Sequence, residues 1–168
     1  MPGISVPPPR RDHQVRTNIP TPRRSHLAGC IMWLPRKEDI NLDIEIEDGC
    51  YNHPVVILSP QPKPKMVTLL LITSFNSTSL EAKHANDVKT RLKHLPIKPA
   101  ESHPDNGKLL FLEDEGRPLR KTSWVKTETQ HLVPLKVLRS YTHKATDYFL
   151  SQESYHELIV RVRLGRRQ

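Results

Sequence analysis

Two uninterrupted apolar runs constrain this chain more than anything else in it. Pro54-Val55-Val56-Ile57-Leu58-Ser59 and Thr68-Leu69-Leu70-Leu71-Ile72-Thr73-Ser74-Phe75 each follow a polar turn and end on hydroxyl or polar residues. Between them lies Pro60-Gln61-Pro62-Lys63-Pro64-Lys65, too rich in proline to continue a strand. The pair reads as a hairpin of strands at 52–59 and 66–74. Their continuous Val/Ile/Leu character, without alternation, requires both faces to be covered. The hairpin presents His53 and Thr73 at its ends, two side chains suited to handling protons and phosphate oxygens.

The flanking segments supply further short strands. Gly29-Cys30-Ile31-Met32-Trp33-Leu34 is a first strand, stopped by Pro35. In 36–49, Ile40, Leu42, Ile44 and Ile46 alternate with Asn41, Asp43, Glu45 and Glu47. Part of this stretch can be strand, but its acidic face and the Asp48-Gly49 stop favour a long acidic loop. Residues 77–95 are helix-like, with Ser79 as N-cap and Leu80, Ala82, Ala85, Val88 and Leu92 near helical spacing. Leu95-Pro96-Ile97 and 102–107 read as loop and turn. Short strands are expected at 108–113 and 122–127, then Leu132-Val133-Pro134-Leu135 and a short helix near 136–141. Residues 152–164 form an amphipathic helix capped by Ser151, with Tyr155, Leu158, Ile159 and Val162 on one face. The expected fold is mainly β with helices (α+β): a small, partly open β-barrel spanning 28–140, with a helical insertion at 76–107 and a C-terminal helix with a basic tail in 141–168.

Charge separates the ends from the body. Residues 1–27 hold six of the 16 prolines, and five arginines against one acid, Asp12. Such a segment buries too little surface to offset its ordering entropy and is expected to be disordered. It lacks the apolar h-region of a secretory signal. It is Arg-bearing and acid-poor like a transit peptide, yet Pro-rich rather than amphipathic. Arg161, Arg163, Arg166 and Arg167 carry the remaining excess, so the net charge of +8 resides in the two ends. Basic arms suit nucleic acid or an anionic surface; solvated basic ends are the plainer reading. No apolar run is long enough for a membrane span, and a cytoplasmic or nuclear protein is expected rather than a secreted one. Cys30 and Cys50 each follow a glycine. They pair if their strand starts are adjacent, though two cysteines without a secretion signal are more often reduced and buried. No CxxC or HxxxH spacing points to a metal, and no cofactor is implied.

These residues resemble a known family. Gly29-Cys30-Ile31-Met32-Trp33, then His53-Pro54-Val55-Val56-Ile57-Leu58-Ser59, then Leu71-Ile72-Thr73-Ser74 is similar to the MazF/PemK pattern G-D-I-(V/Y)-x-(V/A), loop, G-x-R-P-V-V-V-(L/I)-S, loop, (A/P)-(I/L)-T-S. Ser123-Trp124-Val125, Glu128, His131 and Leu138 fall where that family reads S-V-I, E, R and L. With its insertion at 76–107, the chain looks most like eukaryotic, fungal-type members. The resemblance implies an SH3-like barrel, usually a homodimer, that cuts single-stranded RNA without metal and is held by an antitoxin-like partner. The family's catalytic pair is the Arg of R-P-V-V and the Thr of I-T-S. Thr73 matches the second, and His53 stands in place of the first.

On this reading His53, Thr73 and His131 are the catalytic candidates, two imidazoles to move protons and one hydroxyl to hold a phosphoryl oxygen. Ser74, Trp33, Lys126, Arg161 and Arg163 are the RNA-binding candidates, and no residue is assigned to a metal. Each has a plainer reading. His53 can serve as a turn residue before Pro54, His131 as a surface strand residue, Thr73 as a strand end and Trp33 as core or rim packing. The alternative function is a catalytically silent barrel that binds RNA or a protein partner through the same groove. On the nuclease reading, the acidic stretch 38–48 is a candidate to shield the groove in cis in place of an antitoxin-like partner.

Overall fold

The computed structural model describes residues 27–58, 65–142 and 147–165. The arm expected to be disordered lies outside the described residues apart from Leu27, which packs against the core and accepts a hydrogen bond from the Cys30 amide at 2.9 Å. Arg166 and Arg167 also lie outside them.

The hairpin forms as the apolar runs require. Strand β1 (Cys30–Leu34), β2 (His53–Ile57) and β3 (Met66–Thr73) are antiparallel neighbours. Successive side chains along a strand point to opposite faces. Accordingly Val56, Leu58, Leu70 and Ile72 enter one core, and Val55, Ile57, Leu69 and Leu71 enter a second. The sheet is thus a wall shared by two cores, which accounts for the missing alternation.

Five short strands complete the sheet: β4 (His94–Ile97), β5 (Ser123–Lys126), β6 (His131–Pro134), β7 (Arg139–Ser140) and β8 (Tyr148–Phe149). The order is β4-β5-β3-β2-β1-β7, with β6 on β3 and β8 on β1. Residues 110–112 join the two far edges. Leu110 exchanges bonds with the β4 side (Leu110 N–H to Pro96 C=O and Lys98 N–H to Leu110 C=O, both 2.8 Å). On the other side Glu113 donates to Phe149 and Ser151 to Phe111, both at 2.8 Å. The expected strand at 108–113 is therefore only two single bridges, Ile97–Leu110 and Leu112–Leu150, and they close a partly open barrel around the first core.

Helix α3 (Gln152–Gly165) plugs that barrel. Leu158 and Val162 are buried in the first core, with Tyr155 and Ile159 packed against it. The Ser151 hydroxyl accepts the Ser154 amide at 3.2 Å, the cap expected from the sequence, and the Tyr155 hydroxyl donates to the Leu58 carbonyl at 2.7 Å. The second core is roofed by 36–50. This acidic stretch forms no ladder; it makes two short 3₁₀ turns, and Ile40, Ile44 and Ile46 drop onto the core while the acids face out. Both cysteines are buried, and they are not joined in a disulfide.

Three expectations need correction. The helix expected at 77–95 is two single turns, α1 (Leu80–Lys83) and α2 (Val88–Arg91). Ser79 caps the first as expected, but Asp87 then accepts the Thr90 amide at 2.9 Å and starts a new turn. Residues 95–97, read as a loop, belong to β4 (His94–Ile97); Pro96 is tolerated there because this strand gains only single bridges on its outer side. The short helix near 136–141 is one 3₁₀ turn, Leu135–Val137, followed by β7.

The insertion is held from within by Arg91. Its guanidinium donates to both carboxylate oxygens of Asp105 (2.7 and 2.8 Å) and to the carbonyls of His84 (2.7 Å) and Ala85 (2.9 Å). A planar fork with several donors suits this bidentate arrangement, which an ammonium cannot copy. Arg91→Lys is therefore expected to open 80–107 to limited proteolysis while the hairpin strands stay protected. Equal protection of both regions in the variant would show that the fork is dispensable.

Candidate functional site

Strand parity gathers the site. Val55 and Ile57 of β2 face the second core, so His53 faces the same way; Leu69 and Leu71 of β3 carry Thr73 with them. The β2–β3 register (Val55 opposite Leu71), carried two residues further, sets His53 beside Thr73. The His53 ring also bonds the backbone of Ile72. Asn52 aims β2 from the roofing loop. It takes a left-handed conformation (φ 60°), which asparagine tolerates, and its amide bonds the Pro35 carbonyl at 3.0 Å.

The other side comes from an interrupted strand. Val125 of β5 lies opposite Ile72, and His131 of β6 opposite Leu69. Six positions on one strand thus answer three on β3, and 127–130 loop out. The Thr127 amide and hydroxyl pin this excursion to the Lys93 carbonyl at 2.8 and 3.0 Å. Lys126 and His131 consequently flank the same part of β3. Val125 faces the first core, so Lys126 faces the second-core side with His131 and its neighbour Val133. Beneath them Cys50 is buried, with its sulfur 3.9 Å from His131 Nε2.

Electrostatics give these groups distinct states. Burial pushes the His53 imidazole below its ordinary value; the bond to Ile72 opposes this and the Lys126 charge adds to it. Burial likewise lowers His131, with Glu47 opposing and Lys126 assisting. Burial raises the Cys50 thiol, and Glu47 raises it further. At neutral pH the site therefore holds two neutral imidazoles, a neutral thiol and one exposed cation. The Lys126 ammonium acts on Cys50, His53, His94 and His131 alike. Cys50 is no thiolate nucleophile, because the thiolate form is the one disfavoured here.

Of the other binding candidates, Trp33, Arg161 and Arg163 lie apart from this cluster. Trp33 shares parity with Ile31 and packs against the first core, 6.5 Å from the Tyr141 ring and 5.9 Å below the Arg120 guanidinium. It is thus on the far face of the sheet from His53. Arg161 donates to the Leu92 carbonyl at 2.8 Å, tying α3 to the insertion. Arg163 is exposed on α3, near Tyr155. Ser74 directly follows Thr73, and its carbonyl accepts the Ser77 amide at 2.9 Å. Among the described residues, no group of three or more His, Cys, Asp or Glu side chains is placed to hold a metal, and no helix is long and apolar enough to cross a membrane.

Glu47 and Cys50 were not candidates in the sequence. Both belong to the roofing loop, and only its fold over the second core brings them to His131. That loop also walls a cleft of about 430 Å³ between residues 43–46 and His131, Leu132 and Pro134. In comparisons with known proteins, no family model matches the chain and no curated protein matches it.

Proposed function

We propose that this chain is a MazF/PemK-like RNA-interacting barrel that cuts single-stranded RNA without metal by general acid–base chemistry. The observation that carries this reading is the common placement of His53, Thr73, Lys126 and His131, from four strands, on one face of the sheet. His53, neutral and half-buried, takes the proton of the ribose 2′-hydroxyl. The 2′-oxygen attacks phosphorus, the bond to the 5′-oxygen breaks, and His131, in the protonated fraction that grows below neutrality, gives its proton to that leaving oxygen. Lys126 neutralises the non-bridging oxygens, and the Thr73 hydroxyl donates to one of them. The products are a 2′,3′-cyclic phosphate and a 5′-hydroxyl, and each proton transfer supplies typically about 10²–10⁴-fold.

Lys126 thereby takes the charge role that a guanidinium holds in the family pattern. A buried neutral imidazole cannot hold phosphate as arginine does. This division also supports the alternative, a silent barrel that binds RNA or a protein partner by Lys126 and the same groove. A homodimer and an antitoxin-like partner remain part of the proposal through the resemblance alone.

The test is incubation of the full chain with a labelled RNA pool in EDTA, followed by end-group analysis across pH. The base must be deprotonated, so activity rises with pH through its pKa; the acid must be protonated, so activity falls above its own. Burial lowers both imidazoles. The bell in kcat/KM is therefore expected to centre below the ~6.5 of a free imidazole. A flat profile, or one centred above neutrality, would remove the two-histidine mechanism.

A further inference from the structure

The chain leaves Thr73 through a strained turn. Phe75, Asn76 and Ser77 have φ of 47°, 51° and 66°, and none is glycine. Left-handed backbone is disfavoured for residues other than glycine and asparagine, so Phe75 and Ser77 carry strain, and such strain persists where surrounding structure enforces it, often at ligand sites. The turn is secured by Ser77 N–H to Ser74 C=O (2.9 Å) and Thr78 N–H to Phe75 C=O (3.0 Å). The Phe75 amide points back toward the Thr73 hydroxyl oxygen at 3.5 Å.

The strain delivers Phe75 onto an aromatic cluster. Its ring centre lies 5.2 Å from His94, 5.3 Å from Trp124 and 5.5 Å from His84, and the two imidazoles stack at 5.5 Å. Trp124 and His94 are the buried floor, while Phe75 and His84 are half-buried and form the rim. The hydrogen bond of His94 Nδ1 to the Thr90 carbonyl (2.8 Å) fixes its ring. Burial, with His84 and Lys126, keeps His94 neutral. The floor strand β5 also ends on Lys126, and the rim begins two residues after Thr73. Two residues span at most about 7 Å, a reach comparable to that from a backbone phosphate to a neighbouring base. An apolar plug would need only aliphatic side chains and no strained backbone; a rim of π faces beside a phosphate-binding cation suits a nucleobase.

Resting on the RNA reading above, we infer that the Phe75–His84 rim is a stacking subsite for a base of single-stranded RNA, adjacent to the phosphate held by Thr73 and Lys126. Phe75 supplies the stacking face, and the insertion at 76–107 supplies its floor and backing. The subsite gives affinity for bases as such, because every base has a π face.

The experiment is fluorescence anisotropy of the full chain at low salt, with a labelled RNA of about 8 nucleotides and an RNA of equal length lacking bases. Wild type is expected to prefer the base-bearing RNA by on the order of 10-fold or more. Phe75→Ala is expected to abolish most of that preference while leaving the affinity for the baseless RNA unchanged. Phe75→Trp is expected to retain the preference, which separates stacking from loss of fold. Lys126→Gln is expected to weaken both RNAs together and leave their ratio intact. An unchanged ratio in Phe75→Ala, or Phe75→Trp behaving as the alanine variant does, overturns the subsite. Failure of wild type to bind either RNA overturns the RNA reading itself, and the subsite with it.

Discussion

Replacing His53 with alanine is expected to lower the rate of RNA cleavage by at least about 10²-fold, because a positioned proton acceptor is lost from the transition state. The fold is expected to survive. His53 opens β2 at its mouth and is only half-buried, whereas Val55 and Ile57 behind it carry the packing. The sharper variant is His53→Arg. A guanidinium holds phosphate in a fixed fork and does not titrate near neutrality. It is expected to keep or tighten phosphate binding and to erase the acidic limb of the pH profile. End-group analysis and initial rates decide the matter. Cleavage by His53→Arg but not by wild type would make the natural chain a binding module built on a nuclease scaffold. No cleavage by either would leave the groove as a binding surface only.

The second large effect concerns stability. Leu70→Ala is expected to destabilise the fold by about 2–5 kcal/mol, a sizeable part of the ~5–15 kcal/mol typical of a domain. Leu70 is fully buried in the first core, on the central strand β3, with β2 on one side and β5 and β6 on the other. That wall is close-packed on both faces, so the surroundings have little freedom to collapse into the lost volume. Leu132→Ala is the control. It lies 58% exposed on β6 and is expected to change stability by less than about 0.5 kcal/mol. Urea unfolding measures both. Comparable losses for the two leucines would mean that β3 is not the shared wall described above.

The hairpin and the plugging helix were legible because their signals are local. Val55–Leu58 and Leu69–Ile72 show no alternation, and the one packing that tolerates this is burial on both faces. Ser151 and the spacing of Tyr155, Leu158, Ile159 and Val162 likewise state a capped helix with one buried side. The insertion was less legible. Leu80, Ala82, Ala85 and Val88 have helical spacing, yet Asp87 competes for the Thr90 amide and breaks the run. Strand β4 exists because β5 pairs with it, a partner that residues 94–97 do not reveal.

The candidate site divides in the same way. His53 and Thr73 share a face through the register of the hairpin, which its local signals imply, whereas Lys126 and His131 join them only because 127–130 loop out between β5 and β6. Trp33 sits on the other face with Ile31, and because β1 is covered on both sides its sequence gives no sign of which face a given residue takes. Glu47 and Cys50 reach His131 through an irregular loop, where no period applies.

The closing of the ring has a bearing on biosynthesis. Strand β1 completes its second edge only with β7 and β8, so Cys30 waits for Phe149 and Ile31 for Tyr148. On a ribosome, where the chain emerges from its N-terminus, β1 and the β2–β3 hairpin appear first and the plug of α3 last. An apolar ladder is then presented to solvent with one side unmatched while the remaining codons are read. Contacts so distant along the chain make for slow folding, and nascent edges of this kind are what chaperones bind. The edge that the finished protein keeps covered is thus bare for the whole interval between synthesis of Cys30 and of Phe149.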